Sequence, residues 1–197
     1  MASLGAWPAA FVPSAFKLVL HTNQRVNAAP GGGSEQVVDM LNDRWTATLS
    51  LPMYDASDAA ALEAFVAGLR GQVNTVDLCH LRRKVPQGTM RGSPTLYAGA
   101  LQGASSIQIQ GSAGDTLKAG DMLGIGGLLL MVSADASANG FGVLAVSIAN
   151  RLRIALTLGS SVTWNAPTAP FRVLTTSGVE YVPGTANQVD FTLGEKI

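Results

Sequence analysis

Cys79 and His80 are adjacent in this 197-residue chain, and they are its single cysteine and one of its two histidines. A thiol next to an imidazole suggests a nucleophile with its general base, the pair that attacks acyl carbons. The spacing speaks against it, because neighbours in an extended segment project to opposite faces. Cys79 is therefore expected to behave as a small buried hydrophobe. A zinc site takes about three or four Cys, His or carboxylate ligands, and His21, His80 and Cys79 offer no recognisable ligand spacing. Asp115, Asp121 and Asp135 do not follow the spacing of a calcium-binding EF-hand loop, so they are assigned to turns. Gly124-Ile125-Gly126-Gly127 lacks the third glycine and the following helix of a dinucleotide fingerprint, which again points to turns. Neither a cofactor nor a metal is expected, and no enzymatic activity.

The one concentration of charge is HLRRKVPQGTMRGSP, from His80 to Pro94. Arg82, Arg83, Lys84 and Arg91 are candidates for phosphate contacts, but no interleaved aromatics offer stacking surfaces for bases. A short basic run is more often a solvated face. With Pro86, Gly88, Gly92 and Pro94 breaking regular pairing, the segment is expected to be an arm reaching to a neighbouring subunit. These four residues are the candidate interface. Trp7, Trp45 and Trp164 are either core or interface anchors or a platform for stacking sugars.

Composition restricts the function classes. Thirteen Lys and Arg balance thirteen Asp and Glu, so the formal charge is zero and binding to nucleic acid through a broadly basic surface is not expected. Charged residues make up 13% of the chain and hydrophobic residues 47%, against roughly 25% charged in an average soluble protein. Few charges to keep subunits apart suit a protein that works inside an assembly. The apolar run LGIGGLLLMV is broken by glycines and falls short of the ~20 residues that span a bilayer, so membrane insertion is not expected. The first ten residues lack the basic start of a secretory signal, which places synthesis in the cytoplasm.

The elements that must position these residues are mostly strands. RWTATLSL, Arg44 to Leu51, alternates Trp45, Ala47, Leu49 and Leu51 on one face with polar residues on the other, the period of a half-buried strand. Ala15–Thr22 forms another, and Gln36–Met40 is expected to flank Arg44–Leu51 across a turn at Leu41-Asn42-Asp43. A helix is predicted over 57–70. Asp55 or Ser57 serves as its N-cap, Leu62, Phe65, Val66 and Leu69 form its apolar stripe, and Gly71 supplies the left-handed stop. Gln72–Leu81 is a further strand. A turn at Ala119-Gly120-Asp121, a strand through the Leu-rich run and a second strand from Val143 to Ile148 are expected to form an antiparallel unit. Phe171–Thr175, Val179–Val182 and Gln188–Leu193 resume longer strands, the last returning to the N-terminal sheet. Residues 1–96 and 166–197 thus form one domain, with helix 57–70 and arm 80–95, into which a β module of residues 97–165 is inserted.

The order RWTATLSLPMY, ASDAAALEAFVAGLRGQVNTVDL, PQGTMRGSP and LKAGDMLGIGGLLLMVSADASANGFGVLAVSIANRLR resembles that of siphophage and prophage distal tail proteins, over about residues 16–171. The resemblance implies a mainly β fold: a β-sandwich with one packed α-helix and an inserted small β-barrel, OB-like or galectin-like. It also implies a structural virion protein at the tail tip, made in the host cytoplasm. Its partners would be further copies in a homo-oligomeric ring, hexamer favoured over trimer, together with the tail tube and the hub or tip proteins. Two other functions compete. A carbohydrate-binding module would use Trp164 or Trp45, and a β-rich hydrolase would need a carboxylate pair or a Cys79 nucleophile.

Overall fold

The computed structural model describes residues 2–28, 32–182 and 185–196; Gly31, the first of the Gly31-Gly32-Gly33 run that the sequence suggests as a flexible loop, lies outside them. Strands β1 (Ser3–Ala6), β2 (Ala15–His21), β3 (Gln24–Ala28), β4 (Glu35–Asp39), β5 (Arg44–Leu51) and β6 (Tyr54–Asp55) precede helix α1 (Ala56–Leu69), and β7 (Thr75–Cys79) follows it. Short strands come next: β8 (Thr95–Leu96), β9 (Ser106–Gln110), β10 (Thr116–Leu117), β11 (Met122–Ile125), β12 (Leu128–Met131), β13 (Ala136–Ser137) and β14 (Val143–Ser147). The last four are β15 (Thr168–Thr176), β16 (Tyr181–Val182), β17 (Thr185–Ala186) and β18 (Val189–Glu195). The fold is mainly β, with a single helix among the described residues.

A six-stranded sheet in the order β1-β7-β15-β18-β5-β2 carries the first core. Its β1–β7 pair is parallel and its other pairs antiparallel. The alternation of β5 fixes which face is buried: Trp45, Ala47, Leu49 and Leu51 are each no more than 3% exposed. Strand β18 returns from the far end of the sequence to pair with β5, from Val189↔Leu51 to Gly194↔Thr46. Helix α1 lays Leu62 and Leu69 into this core, with Phe65 and Val66 half-buried beside them. Asp55 is its N-cap, accepting from the Asp58 amide at 2.9 Å. Arg70, rather than Gly71 alone, takes the left-handed stop (φ 49°), and its N–H reaches the Ala67 carbonyl.

Two expected pairings differ. Strand β4 pairs with β3 and not with β5, while β5 pairs with β2 from Ala15↔Ser50 to His21↔Arg44. Leu41 at φ 54°, its N–H held by the Asp39 carboxylate at 3.2 Å, turns the chain out of one ladder and into the next. The β3–β4 hairpin consequently leaves the main sheet. The Leu-rich run is likewise two strands: Gly126 and Gly127 both have positive φ (58° and 78°), the requirement of a two-residue hairpin turn. Strand β11 folds back on β12, and β14 pairs with β9 instead.

A second core gathers Met90, Leu96, Ile107, Ile109, Leu123, Leu130, Leu144, Val146 and their neighbours, and every buried member lies between Met90 and Val162. The small sheets β14-β9-β8, β11-β12 and β10-β13 surround it. Met90 and Leu96 precede position 97, so this core takes in part of the segment expected to be an arm. The hairpin β11–β12 joins the two cores, since Met122 and Leu129 face the first while Leu123, Ile125, Leu128 and Leu130 face the second. Trp45 reaches across this junction and donates its indole N–H to the Leu129 carbonyl at 2.7 Å.

Candidate functional site

Residues 80–95 do not project as an arm: Leu81 packs on the first core and Met90 enters the second. Pro86, Gly88, Met90 and Pro94 are buried. The carboxylate of Asp121, 4% exposed, organises this path: it accepts from the amides of Gln87 at 2.8 Å, Gly88 at 3.2 Å and Lys118 at 2.8 Å. Such buried, charge-assisted bonds are among the stronger ones in a protein. Proline and glycine break regular pairing here, as the sequence indicates, and one buried carboxylate satisfies the freed amides.

The four basic candidates separate into two pairs. Arg83 donates from Nη1 to the Gly120 carbonyl at 2.8 Å and faces the His80 ring. Arg91 donates to the carbonyls of Gly88 at 2.9 Å and Met90 at 2.6 Å, and its guanidinium lies 5.0 Å from the Trp164 ring centre, a cation–π distance. Both act within their own chain. Arg82 and Lys84 are exposed and stand at the mouth of a groove of about 330 Å³, whose walls include Trp7, Phe11, Val12 and Leu81.

Cys79 lines this same groove, and burial pushes its thiol pKa above the ordinary value despite the nearby Lys84 ammonium. A thiolate nucleophile needs the opposite shift. His80 turns away from Cys79: its ring packs edge-on against Phe16 at 5.2 Å, and burial, with Arg83 next to it, lowers its pKa. The adjacent pair is thus split between two environments.

The aspartates hold turns. Asp115 accepts from the Ser112 amide at 2.7 Å, and Asp135 binds the Lys118 ammonium at 2.7 Å and the Ala119 amide at 2.9 Å. Among the described residues, no group of three or more His, Cys, Asp or Glu side chains is placed to hold a metal ion. No described helix is long and apolar enough to cross a membrane. Of the tryptophans, Trp7 and Trp45 are core residues. Trp164 is half-buried, with its indole N–H on the Gly92 carbonyl at 2.9 Å.

One constellation has no signature in the sequence. Glu195, at the end of β18, accepts from Arg153 at 2.6 Å and 3.2 Å and from the Trp45 amide at 3.0 Å, and Arg153 also donates to the Asp43 carbonyl. Burial raises the Glu195 carboxyl above the usual range, with Arg153 pulling it down. Arg151 adds an ion pair to Asp39 at 3.2 Å. The cluster joins the second core to the main sheet. Comparison of the sequence with protein-family models and with curated proteins gives no match.

Proposed function

We propose that this protein is a structural component of the virion of a tailed bacteriophage, forming a homo-oligomeric ring at the distal tail that joins the tail tube to the tail tip. A hexamer is favoured over a trimer, and the resemblance in element order supplies the ring. The observation that most supports an assembly role is the β3–β4 hairpin. Every residue of β3 is exposed, and Val26 and Val37, direct cross-strand partners, are 53% and 54% exposed; Val38, on the other face of the hairpin, and Met40 are exposed as well. Apolar residues clustered on a projecting hairpin favour contact with another protein surface. The edge strand β2, seven residues long with Lys17 its one Lys or Arg, adds a second surface open to pairing.

Electron microscopy of the purified protein tests this directly, with closed rings as the expected result. Introducing Val26→Asp alone, which sets no second carboxylate opposite it, should leave the fold intact, since exposed substitutions usually cost within about 0.5 kcal/mol, and should abolish ring formation. A wild-type protein that stays monomeric at high concentration would overturn the proposal.

A further inference from the structure

The β14-β9-β8 sheet has one face in the second core and the other in solvent. Ile107, Ile109, Leu144 and Val146 point inward. The two-residue strand period therefore turns Gln108 and Gln110 outward, opposite Ala145 and Val143 on the neighbouring strand. Tyr97, 50% exposed, borders this face, its N–H on the Gln108 carbonyl at 2.9 Å; Phe141, 88% exposed, borders it too. Together these residues and Asn139 line a groove of about 470 Å³, within the roughly 300–1,000 Å³ typical of small-molecule sites.

Phe141 is the most exposed large hydrophobic side chain among the described residues, and its backbone is held in place. The Asn139 side-chain carbonyl accepts from the amides of Phe141 at 2.9 Å and Val143 at 3.0 Å, and the Gly142 amide returns to the Asn139 carbonyl at 2.9 Å. Gly142 has φ 78°, and a side chain there would strike the Gly111 carbonyl, so only glycine fits. The turn presents the phenyl ring to solvent on a fixed frame.

Polar groups in the groove are neutral and partly unused. Gln110 donates its amide N–H to the carbonyls of Gly111 and Phe141, which orients its carbonyl oxygen. The side-chain amide of Gln108 and the Asn139 side-chain NH₂ make no hydrogen bond among the described residues. No charged residue lines the groove.

We propose that this face binds a neutral sugar ring, with Tyr97 and Phe141 packing on its C–H surfaces while Gln108, Gln110 and Asn139 bond its hydroxyls. Rings and neutral amides together match a ligand that is apolar on its faces and hydroxylated at its rim. The absence of a lining cation disfavours phosphate or carboxylate ligands. The site is distinct from Trp45 and Trp164 and does not depend on the tail assignment.

Saturation-transfer NMR on the full chain tests it, with glucose, galactose, N-acetylglucosamine and their neutral disaccharides as probes. At least one sugar should receive saturation, insensitive to added salt. Phe141→Ala and Tyr97→Ala should each weaken binding at least tenfold with an unchanged melting temperature, and Gln108→Ala should weaken it with both rings intact. If no neutral sugar responds, or if both ring variants bind like wild type, the proposal fails. It also fails if Phe141→Ala disrupts self-association while no sugar binds, because the face is then a contact between copies.

Discussion

Arg153 and Glu195 meet at 2.6 Å with side chains only 11% and 1% exposed, and this pair fastens the second core to the last strand of the main sheet. Removing one partner of a buried pair typically costs about 3–5 kcal/mol, because the other charge stays behind unpaired. Arg153→Met should show this cost near neutral pH in denaturant melts. Glu195 can escape by taking a proton, and burial already raises its folded-state pKa above the ordinary 4.5. A carboxyl raised on folding contributes stability at low pH that is lost as pH rises through its folded value. The defect of Arg153→Met should therefore shrink as pH falls toward 4.5; a pH-independent defect would mean Glu195 stays ionised without Arg153.

Asp121 supplies a second measurable anchor. It satisfies three amides from a buried position, and hydrogen bonds to charged groups contribute about 1.5–3 kcal/mol each. Asp121→Ala should lower stability by several kcal/mol and expose the segment around Gln87 and Gly88 to rapid amide exchange. Because its lone pairs are directed at amides, millimolar calcium should leave the wild-type melting temperature unchanged. A calcium-dependent rise would reopen the aspartates as a metal site.

Much of this frame was legible in the sequence, and the exceptions have a common physical origin. Strand β5 and helix α1 follow from local periodicity, which depends only on near neighbours. The glycines of Gly124–Gly127 point to turns, but the pairing of β11 with β12 across them was hidden because both strands are buried and neither alternates in hydropathy. Tertiary partners left no local trace: Arg153 and Glu195 lie 42 residues apart, and Trp45 and Leu129 lie 84 apart. The segment 80–95 looked like an arm because its prolines and glycines remove regular pairing. The carboxylate that replaces that pairing comes from a distant turn. Phe141, in a glycine-rich loop, resembles an ordinary turn residue until its exposure and fixed frame are seen.

Cys79 gives a pH-dependent test of the groove next to Arg82 and Lys84. Burial raises its thiol pKa above the ordinary value, so the reactive thiolate is scarcer at neutral pH than in a free cysteine. Labelling with a disulfide reagent in the native state should be slower than in unfolded protein and should accelerate only at alkaline pH. Fast labelling at neutral pH would show an activated thiol and revive the nucleophile hypothesis.

The last prediction concerns the independence of the two cores. An inserted domain with its own core can be excised because its ends lie close together and few contacts cross. Here several contacts cross. Replacing residues 97–165 by a Gly/Ser linker removes Met122 and Leu129 from the first core and leaves the Trp45 indole N–H without the Leu129 carbonyl and Glu195 without Arg153. It also leaves Met90 and Leu96 without the core they enter. Burying one such side chain is worth about 1.5–3 kcal/mol, so the lost burial of these four together takes a large part of the roughly 5–15 kcal/mol that holds a domain folded. Calorimetry of the deleted chain should accordingly show no cooperative transition. A sharp transition in the simple deletion, close to that of the full chain, would instead establish the six-stranded sheet as a self-sufficient domain.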